Sequence, residues 1–291
     1  MSYDIIGAVG VGIVGQTPPG PVNGLTSNYV FRYVPAKGAN DSLVYDLSGK
    51  NRNATINGSI VVNGRTITST LTPATAWAST ALTLGSTTGA IPVIDPSFLN
   101  NYRPDQGDSL LLFAKMYVPT IPATGGTVTV FGAMGRNSSS QNNGIRFVVT
   151  CKDHANPKTI QIVTYDAVGG SKFTGNSLAQ LVEGADNYLG WYIDPTNARA
   201  KMFVNGASNW ASANSVYMRN FYTDILTSTT AQTPAFGIGS GEFNLSVALP
   251  STVIKQVDLV IVKGRGIANP DAAFSKLQNF PGVYLTDGDV A

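Results

Sequence analysis

Acid–base and nucleophilic chemistry need particular side chains, and this sequence is sparing with them. It has one histidine, His154, one cysteine, Cys151, and only two glutamates, Glu183 and Glu242. A hydrolytic pair of carboxylates would therefore lean on aspartates. Cys151 and His154 lie close together in Cys151-Lys152-Asp153-His154-Ala155-Asn156-Pro157, which could set a thiol beside a base. The simpler reading of that stretch is a polar hairpin loop with a small residue at a strand end, so no catalytic residue is assigned. One histidine and one cysteine cannot build a zinc cage of His and Cys ligands. Calcium takes oxygen ligands from loops; the candidates are Asp194 and Asn197 in Asp194-Pro195-Thr196-Asn197, and Asp105 and Asp108 beside Gly107. These are ordinary turn formers without a contiguous ligand loop, so no cofactor is assigned. Sugar recognition would use exposed aromatic and amide side chains at loop tips. The candidates are Trp210, then Tyr217, Arg219 and Tyr222 in Tyr217-Met218-Arg219-Asn220-Phe221-Tyr222, with Asn142 and Asn143 beside them in kind. Each aromatic has an alternative role in packing against its own sheet.

The elements that must hold these residues are strands. Of 291 residues only 12% are charged, against about 25% in an ordinary domain, and Ser, Thr, Asn, 31 Gly and 16 Pro stand between short apolar runs. That is an all-β, loop-rich make-up. A strand opens at Tyr29–Val34, and a turn-dense stretch follows at 46–59. Further strands are predicted at Ser109–Val118, Thr127–Met134, Gly144–Cys151, Thr159–Asp166, Tyr188–Asp194, Ala200–Asn205, Ala235–Gly239 and Val253–Val262. Asp271–Asn279 alone reads as a helix, with Asn269 as cap, Pro270 at the first position and Ala273, Phe274 and Leu277 on one stripe. The formal charge of +2, with no concentration of Lys or Arg, excludes a nucleic-acid footprint of clustered phosphate contacts.

The N-terminus is an apolar run, Ile5–Gly15, with Asp4 before it and a Pro-rich stretch at 17–24 after it. It lacks the basic flank and cleavage site of a signal peptide, and it is too short and Gly-rich for membrane insertion. Ile5, Ile6, Val9, Val11, Ile13 and Val14 are expected to form an extended assembly arm that adds a strand to another subunit's sheet edge. An edge strand of the same domain, or a disordered tail, is the alternative. The division is residues 1–24 as arm and 25–291 as one domain.

Several segments, taken in order, resemble concanavalin A-like lectin/glucanase (laminin-G-like) domains. Tyr45-Asp46-Leu47-Ser48-Gly49 leading to Asn57-Gly58 is similar to their opening turns. Ile91-Pro92-Val93, Pro96-Ser97-Phe98-Leu99 and Asp108–Met116 resemble a strand, a short turn and the next strand. Gly190-Trp191-Tyr192-Ile193-Asp194 with Ala200–Gly206 resembles paired strands ending in an Asn-Gly hairpin, and Phe236–Gly239, Gln256–Ile261 and the helix after Asn269 resemble the closing elements. The resemblance implies a two-sheet jelly-roll sandwich with an extended N-terminal arm and one short C-terminal helix, in which Trp191 and Phe203 are core. Glycosidases of this family carry a Glu-x-Asp-x-(x)-Glu strand, and neither Glu183 nor Glu242 has that spacing, so the expectation is a protein that is not an enzyme.

Such sandwiches resemble bacteriophage decoration, head-fibre or tail-fibre proteins. The resulting expectation is a virion structural protein, made in the host cytoplasm, that docks on other virion proteins through its arm as a homo-oligomer and touches host-surface carbohydrate with the sandwich. The alternatives are a free carbohydrate-binding module and a glycosidase or depolymerase.

Overall fold

The computed structural model describes residues 24–35, 42–62, 64–71, 77–78, 81–136, 142–165, 171–173, 175–212, 235–240, 247–280 and 283–291. The arm residues Ile5 to Val14, and Tyr217, Arg219, Tyr222 and Glu242, lie outside the described residues.

In chain order the strands are β1 (Tyr29–Tyr33), β2 (Leu43–Val44), β3 (Ala54–Thr55), β4 (Asn57–Val62), β5 (Arg65–Thr70), β6 (Trp77–Ala78), β7 (Ala81–Thr83), β8 (Val93–Ile94), β9 (Ser109–Val118), β10 (Thr127–Arg136), β11 (Asn142–Thr150), β12 (Ile160–Tyr165), β13 (Ser171–Phe173), β14 (Ala185–Asp194), β15 (Arg199–Val204), β16 (Ala207–Ser212), β17 (Phe236–Ile238) and β18 (Val253–Val262), before helix α1 (Pro270–Asn279). They form an all-β sandwich of two antiparallel sheets. One runs β16-β15-β14-β9-β18-β7-β6, with β1 also paired to β18; the other runs β13-β12-β11-β10-β17-β8-β3-β2. The strands β4 and β5 make a separate hairpin.

Alternation along β9 explains its almost unbroken apolar sequence. Successive side chains of a strand point to opposite faces. Leu110, Leu112, Ala114, Met116 and Val118 belong to the core shared with the second sheet, whereas Leu111 and Phe113 belong to a second core with α1. Both faces are covered there, so both sets must be apolar. Trp191 of β14 is fully buried in the first core. Its ring meets Phe131 and Phe147 edge-on at 5.8 and 5.6 Å, and its Nε1 donates to the Gln161 carbonyl at 3.1 Å, which satisfies the indole's one donor. Phe203 is also core, but in the layer under the helix.

Helix α1 starts where the sequence predicts. The Asn269 side chain accepts from the Ala272 N–H at 3.0 Å, Pro270 occupies the first turn, and Ala273, Phe274 and Leu277 are buried. The Phe274 ring stacks on Phe203, 5.1 Å between centroids, and lies over Gly190, where a Cβ would come within 2.5 Å of it.

The stretch at 46–59 is organised by one carboxylate. Asp46 Oδ1 accepts from the Arg32 and Ser48 N–H groups, and Oδ2 from the Ser48 hydroxyl and the Arg52 N–H. An Asp-x-Ser-Gly sequence suits this turn because Asp and Ser both bond to nearby backbone.

Candidate functional site

Trp210 is placed on a strand and not at a loop tip. Val204 ends β15, Asn205 and Gly206 both have positive φ (51° and 93°), and β16 returns as a two-residue hairpin, a geometry that Asn-Gly accommodates at little cost. The hairpin sets Lys201 opposite Trp210 and Phe203 opposite Ser208, and Tyr192 of β14 stands opposite Lys201. The sequence contributes small residues around the indole, Ala207, Ser208, Asn209 and Ala211, and among the described residues the ring lies on the end strand of the first sheet and is 39% exposed.

Its neighbours are cationic and fixed. The Arg199 guanidinium carbon lies 3.8 Å from the Trp210 ring centroid and Lys201 Nζ 4.7 Å, within cation–π range; the Tyr192 ring meets it edge-on at 6.0 Å. Arg199 Nε donates to Asp194 Oδ2 at 3.0 Å. Lys201 pairs with Asp271 in the first turn of α1, and the Ser208 hydroxyl donates to the other Asp271 oxygen at 2.6 Å. Burial would raise the Asp271 carboxyl, but its bonds from Lys201 and Ser208 hold it below its ordinary value. Tyr192 is pushed up to about 12, chiefly by burial, and its hydroxyl oxygen accepts from the Ile267 N–H at 2.7 Å. The result is an aromatic surface with charged and hydroxyl groups held around it, suited to a ligand that has both an apolar face and hydrogen-bonding groups.

The other sequence candidates are committed elsewhere. The structure brings Asp194 and Asn197 together, but Asn197 meets the carboxylate as a donor through Nδ2 at 2.8 Å and its N–H at 3.3 Å, and Arg199 puts a positive charge beside the same oxygen. A cation would have to displace both. Asp108 Oδ2 accepts from the Arg103 N–H and from Lys263, and Oδ1 from the Gly264 N–H, while Asp105 pairs with Arg103. Among the described residues no three of His, Cys, Asp and Glu cluster as metal ligands. Cys151 is buried; burial and then Asp153 push its thiol up, while His154 Nδ1 accepts from the Asn156 N–H at 3.0 Å in an exposed loop. Neither feature activates a thiolate.

Glu183 is a clamp between loops. Its Oε1 accepts from Lys152 at 2.7 Å, the Ile121 N–H at 2.8 Å and the Thr120 hydroxyl at 3.1 Å, and its Oε2 lies 3.2 Å from Lys158. These donors, Lys152 foremost, push its carboxyl down from 4.5 to about 2. A depressed carboxyl stabilises the fold above its unfolded value, and that contribution is lost as pH falls through the folded one. Urea unfolding of Glu183→Gln beside the unaltered chain should therefore show the variant less stable at neutral pH, with the gap narrowing from about pH 4.5 and closing near pH 2. A gap independent of pH would show that the bonds, and not the charge, matter.

Sequence reading missed Arg199, Lys201, Ser208 and Asp271 as partners of Trp210. Hairpin arithmetic from Asn205-Gly206 carries the signal for three of them, since a two-residue turn fixes the register. Asp271 arrives through tertiary packing of α1 and leaves no such trace.

No protein-family model matches the sequence, and a search of the curated proteins finds no match. Solved structures do match. A sialidase of Trypanosoma rangeli in complex with 2,3-difluorosialic acid, a covalent intermediate, aligns with a TM-score of 0.52 at 12% identity, over 90% of this chain and 35% of that one. The same sialidase in complex with sialic acid gives 0.50 at 15%, over 94% and 36%. The binding domain of botulinum neurotoxin DC in complex with rat synaptotagmin II gives 0.51 at 11%, over 87% and 51%. The chain thus spans about a third of the sialidase chains and about half of the toxin domain. The expectation that the chain is not an enzyme is corrected by these matches. Chains that contain this fold include sialidases, so neither the fold nor the missing Glu-x-Asp-x-(x)-Glu strand is ground for setting catalysis aside. What the chain shares with them is the sandwich fold.

Proposed function

We propose that the chain is a carbohydrate-binding sandwich whose ligand docks on the Trp210 edge. The observation that carries this is the exposed indole at the rim of the sheet, with Arg199, Lys201 and Ser208 fixed around it. An aromatic ring covers the apolar face of a sugar, while the guanidinium N–H groups of Arg199 left over from Asp194 and the half-exposed Asp271 carboxylate, which Lys201 and Ser208 hold in place, meet its hydroxyls. The matched sialidase is in complex with sialic acid and the matched toxin domain with rat synaptotagmin II, which supports a binding role for the fold. A virion is one setting for such a module. Residues 1–24 would be its docking arm, and the proposal does not depend on them.

A glycan array probed with the full chain should give a defined set of bound sugars. Trp210→Ala should weaken the best of them by about 2 kcal/mol, roughly 30-fold, as for an aromatic hot spot, at unchanged melting temperature. Retained affinity in that variant, or an empty array, removes the proposal. Because the matched chains are sialidases, the bound glycans are also assayed for turnover; release of free sugar would replace the binding reading with a glycosidase one.

A further inference from the structure

A second place in the molecule gathers positive charge around a cleft. It lies between the Asp46 turn, which supplies Lys50 and Arg52, the short turn Pro96–Asn101, which supplies Phe98 and Asn101, and the end of β18, beyond which Lys263 reaches in. Its volume is about 330 Å³. The cleft flanks β1, five strand steps from β16 across the first sheet, roughly 24 Å at about 4.8 Å per step. It is therefore separate from the Trp210 edge, and the inference goes beyond that reading without resting on it.

Each cation is held differently. Arg52 Nη1 donates to the Val30 carbonyl at 2.7 Å, its own N–H is bound by Asp46 and its carbonyl accepts from the Tyr33 hydroxyl. A guanidinium has five N–H donors, so most of its fork remains beyond that one bond to Val30, on a side chain already fixed. Lys263 is pinned by Asp108 at 2.7 Å and by the Asn101 carbonyl. Lys50 is exposed and has no ion-pair partner among the described residues. No carboxylate stands among the described lining residues. Asp108 already matches the charge of Lys263, so the positive field of the cleft comes from Lys50 and Arg52, and an anion is favoured there.

We infer that this cleft binds a small carboxylate-bearing sugar, with the Arg52 fork and Lys50 on the carboxylate. A planar guanidinium matches a carboxylate in two parallel bonds. Asn28 and Asn101 bring amide groups suited to hydroxyls, and the buried Phe98 lies beneath the floor of the cleft. The volume lies at the lower end of small-molecule sites; it suits one sugar ring and is far larger than a phosphate ion needs.

The test is calorimetric titration of the full chain at low salt with N-acetylneuraminic acid, glucuronic acid, the methyl ester of the acid that binds, galactose and inorganic phosphate. At least one acid should bind, with its ester and galactose weaker by about tenfold or more, as expected for loss of a charged hydrogen bond. Lys50→Glu, which breaks no ion pair among the described residues, should weaken the acid by a similar factor at unchanged melting temperature, and Trp210→Ala should leave it unaltered. The inference is overturned if neither acid binds, if acid and ester bind alike, if phosphate binds as tightly as the acid, if Lys50→Glu has no effect, or if Trp210→Ala abolishes binding.

Discussion

Replacing Asp258 with alanine should cost the fold about 3–5 kcal/mol, the usual penalty for breaking a buried ion pair from one side. Asp258 and Arg32 are both buried, with Nη1 and Oδ1 2.7 Å apart. Burial pushes the Asp258 carboxyl up from its ordinary value, and the neighbouring guanidinium pulls against that. The other carboxylate oxygen accepts from Gln256. Arg32 also donates to the Tyr29 hydroxyl at 3.3 Å and the Val283 carbonyl at 2.9 Å. With Asp258 gone, the guanidinium keeps two neutral acceptors and loses its counter-charge in a site closed to water. Urea unfolding at neutral pH measures the loss, and a cost below about 1 kcal/mol, the range of exposed pairs, would mean that the pair is reached by solvent. Arg32→Met with Asp258→Leu should recover most of the loss, because replacing both charges by apolar groups removes the desolvation cost along with the attraction.

That pair marks where sequence reading stops. The strand at Tyr29, the long β9 and β18, and the capped helix were legible because each follows a local rule: alternation, an apolar run between turn residues, or Asn-Pro before an apolar stripe. The Arg32–Asp258 contact joins residues far apart in sequence, and nothing local marks either as buried. Strand β16 escaped prediction for a related reason. Ala207–Ser212 is small and polar, with little apolar content to alternate, and it is held by its hairpin partner and not by its own propensity. Trp210 was legible as an aromatic among polar residues, yet its cationic surroundings appear only when the register is drawn. The cleft was beyond reach altogether, because Lys50, Arg52, Asn101 and Lys263 are brought together by three separate turns.

Phe274→Ala should cost about 3–5 kcal/mol and should also disturb the Trp210 edge. The ring is fully buried, stacks on Phe203 and fills the space that Gly190 leaves open. Removing it leaves a cavity beneath α1 that the sheet cannot close, because Gly190 has no side chain to offer. The converse change, Gly190→Ala, forces the ring outward and should cost about 1–3 kcal/mol by overpacking. Both changes act on the helix whose first turn carries Asp271 to Lys201 and Ser208. As α1 loosens, those two side chains lose their anchor, and Lys201 is one of the cations set against the indole. Glycan affinity should therefore fall in Phe274→Ala at temperatures where the fold is intact, and by less than in Trp210→Ala, because the indole itself remains. Full affinity in a folded Phe274→Ala protein would show that the edge is positioned by its own hairpin alone. A loss equal to that of Trp210→Ala would make the helix, through Asp271, as necessary to the site as the ring it supports.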